Sequence, residues 1–239
     1  KSAYYIAEAV AVQTPFILLS VCIVALAVIF AFVKLPSIIK TVSNSGYTKV
    51  LKNKVLMMGA FAILVYVGAE VAIGSYLVNY FIDMNMHLVI QSTPWMNNIA
   101  INILNTDLAS LDKRAIVGAF VTFYWSGAMI GRFVGAYLTS KNNPSKVLGF
   151  FAIGALLFIV ISMNTVGLLS MWSILAVGLF NSIMFPTIFT LSIQDIDELK
   201  PQASGILCTM IVGGAIIPPL YGFITDLSGF KTAMILLLA

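Results

Sequence analysis

The chain has 239 residues, of which 60% are hydrophobic and only 9% charged, whereas soluble domains carry about 25% charged residues. A chain so poor in charge cannot clothe itself in a water-compatible surface, which argues against every soluble class and for an integral membrane protein. The net charge of +4 sits in short loops between apolar runs, not on the clustered basic face that nucleic-acid binding requires.

Five apolar runs are long enough to cross a bilayer of about 30 Å as helices. They fall near residues 11–33, 55–82, 115–138, 147–163, where Asn164 interrupts, and 168–193. A sixth, near 203–225, is interrupted by Gly213-Gly214 and Pro218-Pro219, and a seventh begins near 231. Backbone groups in lipid must be satisfied within their own segment, so runs of this length predict an all-α, polytopic transmembrane bundle, not the ten-residue alternation of a β-barrel. Cys22 and Cys208 lie inside apolar runs and are expected to be small core hydrophobes, with neither a disulfide nor a metal site. The chain opens at Lys1-Ser2 with no initiator Met or signal peptide and stops at "AMILLLA", which reads as a fragment of a longer protein.

The basic residues set an orientation. Lys34, Lys40, Lys49, Lys52 and Lys54 follow the first span; Arg132, Lys141 and Lys146 come two spans later, and Lys200 two spans after that. Lys1, Lys113, Arg114 and Lys231 fall on the other side. The richer side is predicted to be cytoplasmic, although Asp195, Asp197 and Glu198 make its last loop locally acidic. Residues 83–112 then form the longest outside connection. It carries the only histidine, His87, expected to be solvated, and Trp95 beside "IAINIL", a stretch suited to the membrane interface.

Several motifs stand out. Gly127, Gly131 and Gly135 recur every four residues and predict close helix packing. Arg132 is either a positive-inside anchor or a gating residue. Gly213-Gly214 and Pro218-Pro219 predict a kinked helix, as either a static bend or a working one. Asn181 and Pro186 sit mid-span, and the amide suits interhelical bonding and substrate binding equally. Glu70, in "YVGAEVAIGSYLVNYF", is the sharpest feature, because an acid in hydrocarbon usually faces a bundle interior or a watery cavity. In a regular helix Tyr66, Glu70, Ile73 and Leu77 share a face and Asn79 lies opposite. One loop histidine and one deep carboxylate give no convergent set for catalysis or for holding a metal or cofactor, so no enzyme is expected.

The segments "AVQTPFILLS" with "KLPSI", "GAEVAIGSYLVNYF", "YWSGAMIGRFVGAYL" and "KPQASGILCTMIVGGAIIPPLYGFITD" resemble, in order, the major facilitator superfamily, and within it the fucose–galactose–glucose:proton symporter family. The resemblance implies the C-terminal six-helix half of a twelve-helix transporter together with the helix before it. Residues 1–33 would be helix 6 of the twelve, 34–54 the central cytoplasmic loop, and 55–239 helices 7 to 11 with the start of 12. The region around Arg132 resembles the superfamily's cytoplasmic motif between helices 8 and 9, without the acidic residue of its fuller form.

The implied function is cation-coupled symport of a hexose, such as glucose or galactose, across the cytoplasmic membrane by alternating access. The alternatives are a non-transporting sugar sensor or a facilitator for another small polar solute. Implied partners are the sugar, a proton or sodium ion, the lipid bilayer and the missing N-terminal bundle. Sugar hydroxyls need amides, carboxylates and hydroxyls, and sugar CH faces need aromatic rings. Glu70, Tyr66, Tyr76, Asn79 and Asn181 are the candidate contacts, with Tyr124 and Trp125 behind them; Arg132, Gly213, Gly214, Pro218 and Pro219 are the conformational candidates.

Overall fold

Apolar side chains bring each long segment into an environment without water, and the main chain answers by closing its own hydrogen-bond ladder as a helix. The computed structural model describes residues 2–33, 46–196 and 199–238. Lys1, Lys34, Lys40, the "KLPSI" stretch, Asp197 and Glu198, and most of the 34–54 connection, lie outside the described residues.

The chain forms two compact units, residues 1–43 and 44–239. The first contains α1 (Ser2–Phe32), which carries Pro15 within it. The second begins with a short α2 (Tyr47–Leu51) and the long α3 (Lys54–Asp83), whose start is capped by Asn53 accepting from the amides of Val55 and Leu56. Then follow α4 (Met86–Ser92), α5 (Pro94–Leu104), α6 (Lys113–Lys141) and α7 (Pro144–Asn164). The remaining elements are α8 (Gly167–Asn181), α9 (Met184–Ile193), α10 (Lys200–Thr209), α11 (Gly213–Ser228) and α12 (Phe230–Ala233). Six stretches are long and apolar enough to cross a membrane.

The expected spans are present, with two refinements. The run at 168–193 is two helices, α8 and α9, separated at Ser182-Ile183. Pro186 lies in the first turn of α9, where its missing N–H is tolerated, and it cannot donate back to the Ser182 carbonyl. In the run from Lys200 the irregularity is a 3-10 turn at Met210–Val212. Pro218 and Pro219 sit inside α11, so the tightening lies upstream of the prolines.

The expected loop at 83–112 is folded. Met86, Ile90, Met96, Ala100 and Leu108 of α4, α5 and the following 3-10 turn are buried in the same core as α3, α6 and α8. Trp95 remains about half exposed and stacks on Trp172 of α8, ring centroids 6.1 Å apart. His87 is not simply solvated: its Nδ1 is buried and, among the described residues, has no hydrogen-bond partner. The cysteines also depart from expectation. Both are free and exposed; a lipid-facing helix surface is apolar by requirement, so hydrophobicity there does not mark a core position.

Glycines set how closely the helices approach. Gly131 and Gly135 of α6 press against Leu179, Ser182 and Ile183 at the α8–α9 break, and Gly127 meets the Leu179 backbone. Gly213 abuts the Leu64 carbonyl so closely that a β-carbon would overlap it. The α6 stripe therefore seats the break, and α11 seats against the middle of α3.

Candidate functional site

Glu70 is the seventeenth residue of the thirty in α3, so at 1.5 Å per residue it lies about 24 Å from Lys54 and about 20 Å from Asp83. It is half-buried and lines a cavity of about 440 Å³ with Tyr66, Val67, Arg132, Ser182, Phe185, Pro186 and Ile211. Four segments converge there: α3, α6, the α8–α9 break with the start of α9, and the 3-10 turn before α11. The pocket thus holds a carboxyl, a guanidinium, two hydroxyls and an aromatic ring in an otherwise apolar wall.

The Tyr66 hydroxyl lies 2.8 Å from Glu70 Oε2, one helical turn along α3, and 2.8 Å from the main-chain carbonyl oxygen of Asn181. Asn181 is the last residue of α8, where carbonyls lack intrahelical partners; Tyr66 reaches across and binds one. The Asn181 side chain turns the other way. It is buried, and its Nδ2 donates to the hydroxyl of fully buried Tyr124 at 3.2 Å. One hydrogen-bonded line therefore runs from Glu70 through Tyr66 and Asn181 to Tyr124, tying α3 to α8 and α8 to α6.

The other candidates are distributed around this line. Asn79 is exposed, nine residues along the unbroken α3 from Glu70. Tyr76 is half-buried, with its ring 5.2 Å from that of Tyr221, beside a crevice of only about 10 Å³. That space is close to the minimum for one water. Trp125 is 55% exposed and lines a separate cleft of about 410 Å³ with Thr122, Ser126 and Met129. Seven residues separate it from exposed Arg132, about two turns, so both lie on one face of α6. Arg132 borders both the Glu70 pocket and a further cleft beyond Pro186. Gly213, Gly214, Pro218 and Pro219 do not line the Glu70 pocket; Ile211, just before them, does.

Sequence reasoning missed Ser182, Phe185, Val67 and Ile211 as pocket-lining residues. A signal existed for two of them. Pro186 marks a helix break, and Ser182 and Phe185 flank it.

No family model matches the sequence. Among curated proteins it is 38% identical over 233 residues to a glucose/galactose transporter of Brucella abortus, covering 96% of this chain and 51% of that protein. It is 37% identical over 223 residues to a putative glucose/galactose transporter of Helicobacter pylori, covering 93% of this chain and 49% of that protein. The L-fucose–proton symporter of Escherichia coli is 27% identical over 236 residues, with 95% of this chain and 48% of that protein covered. Among solved structures, a fucose symporter of the superfamily in its outward conformation superposes with a TM-score of 0.72 at 25% identity, over 95% of this chain and 51% of that one.

The chain belongs to the major facilitator superfamily. Within it, the relatives place the chain in the branch of the fucose symporter and the glucose/galactose transporters. It is a multi-pass membrane protein of a transporter family, not an enzyme, and spans about half the length of the curated relatives it matches. The six spans agree with half of the superfamily architecture.

Proposed function

We propose that this chain is the C-terminal half of a secondary transporter that carries a hexose, glucose or galactose by its nearest chemistry, together with a cation across the inner membrane. Residues 1–33 would be the last helix of the first bundle, 34–54 the central cytoplasmic loop and 55–239 the second bundle, rocking against the first to give alternating access. The missing N-terminal bundle, the bilayer, the sugar and a proton or sodium ion are its partners.

The observation that supports this is the Glu70 pocket. Polar groups are costly in hydrocarbon and concentrate where a solute path needs them. Here the acid and Tyr66, near the middle of α3, share with Arg132 and Ser182 a volume within the roughly 300–1,000 Å³ range of small-ligand sites. Glu70 and Tyr66 would accept and donate to sugar hydroxyls, and Phe185 would offer a ring to the sugar's CH face. Trp125 extends the same α6 face, and Arg132 would link the pocket to the cytoplasmic gate. Asn181 and Tyr124 would hold the wall from behind. Gly213 and Gly214, with the prolines after them, would let α11 slide on α3.

Counterflow of labelled galactose and glucose in proteoliposomes of the full-length protein tests the reading, since only a carrier exchanges solute across the bilayer. Exchange is expected in the native protein and reduced in Glu70→Gln. Binding without exchange would mean a sensor. Unchanged affinity, exchange and folding in Glu70→Gln would remove Glu70 from the site.

A further inference from the structure

The single proton of the Tyr66 hydroxyl faces two acceptors at 2.8 Å, Glu70 Oε2 and the Asn181 carbonyl. Only one can receive it. If Glu70 is a carboxylate, the charge-assisted bond to it is the stronger, and the carbonyl at the end of α8 loses its Tyr66 cap. If Glu70 carries a proton, its own O–H donates to the Tyr66 oxygen and Tyr66 donates to Asn181. Both short contacts are then hydrogen bonds, with the Tyr66 hydroxyl accepting from one neighbour and donating to the other, the arrangement that chains of buried hydrogen bonds favour.

We propose that Glu70 is a proton-holding site and that Tyr66 relays its state to the α8–α9 break, capping α8 when Glu70 is protonated and releasing it when Glu70 ionises. The break is poised to respond. Gly131 and Gly135 of α6 let it approach closely on one side, and Pro186 has already removed one bond across it. Titratable or charged groups facing Glu70 are Tyr66 on its own helix and Arg132 from α6, with Tyr124 behind Asn181. The α8–α9 break and the 3-10 turn present Ser182, Phe185, Pro186 and Ile211, none of which titrates. Arg132, which lines the same pocket from α6, is the positive charge available to an ionised Glu70. The relay rests on the transporter reading only for its physiological use; its chemistry belongs to this pocket.

The test uses the full-length protein in lipid nanodiscs. Infrared difference spectra across a pH series should show the C=O stretch of a protonated carboxyl that disappears with rising pH and is absent in Glu70→Gln. Amide hydrogen exchange over residues 178–190, referred to intrinsic rates, should rise roughly fivefold to tenfold across the same interval, the worth of about one hydrogen bond. Glu70→Gln, whose amide can still donate to Tyr66, should stay protected at both ends of the series. Tyr66→Phe should exchange fast at both ends while keeping the infrared band. A native protein with no such band, or exchange in Glu70→Gln that follows pH as the native protein does, overturns the proposal. If Glu70→Gln does not fold, Glu70→Asp assigns the band instead: its frequency or midpoint should shift if the band belongs to residue 70, and an unmoved band in a folded Glu70→Asp overturns the proposal. Failed sugar counterflow with an intact pH response would sink the carrier reading and leave the relay standing.

Discussion

The Tyr66 hydroxyl lies 2.8 Å from the main-chain carbonyl of Asn181, across 115 positions of sequence. A side chain one turn from the mid-helix acid of α3 thus holds the end of the helix that forms the opposite wall of the pocket, so site and helix break share one hydrogen-bonded line.

Tyr66→Phe removes the hydroxyl from both contacts and leaves the Asn181 carbonyl without it. We expect a loss of about 1–3 kcal/mol, read as a fall of several degrees in the unfolding temperature of the purified protein, together with weaker sugar binding by calorimetry. Tyr76→Phe, outside the pocket, should leave sugar affinity within about twofold. Equal losses of affinity in both would place the pocket elsewhere.

Gly131→Val should cost a few kcal/mol, because the added carbons collide with the Leu179 carbonyl and the Ser182 hydroxyl at the helix break. Gly149→Ala, where a β-carbon meets nothing within 4 Å, should be neutral or slightly stabilising by helix propensity. Thermal unfolding of the two variants side by side measures the contrast.

A buried hydroxyl cluster joins α3, α7 and α8 away from the pocket: Tyr80 to Ser170 at 2.6 Å, and Ser162 to Ser170 at 3.1 Å. Ser170→Ala is expected to destabilise by about 1–3 kcal/mol and to leave sugar affinity unchanged. A stable variant with altered affinity would show that this cluster takes part in the site.

Phe185→Cys should react with a small polar maleimide and be protected by saturating galactose, because Phe185 lines the Glu70 cavity. Phe133→Cys, exposed on α6 at 74% and outside that cavity, should gain no protection from the sugar. Labelling rates with and without sugar, followed by mass spectrometry, give the answer.

Much of this was legible in the sequence for a physical reason. A bilayer demands about twenty apolar residues per span, so the spans announce themselves, and a charge such as Glu70 stands out against them. Glycines at every fourth position likewise announced the α6 contact. What stayed hidden depends on partners distant in sequence. Nothing around Asn181 shows that its amide turns to Tyr124 and its carbonyl to Tyr66. The 83–112 connection reads as a loop because its burial comes from α3, α6 and α8, not from a pattern of its own. Cys22 and Cys208 misled because in lipid an apolar residue sits equally well on the outside of a bundle.

The folded 83–112 connection has a practical consequence. With Met86, Ile90 and Met96 anchored in the core and Trp95 stacked on Trp172, it is an ordered landmark outside the six candidate spans. A binder raised against α4 and α5 would serve as a fiducial for electron cryomicroscopy, because its orientation would report that of the whole 44–239 unit.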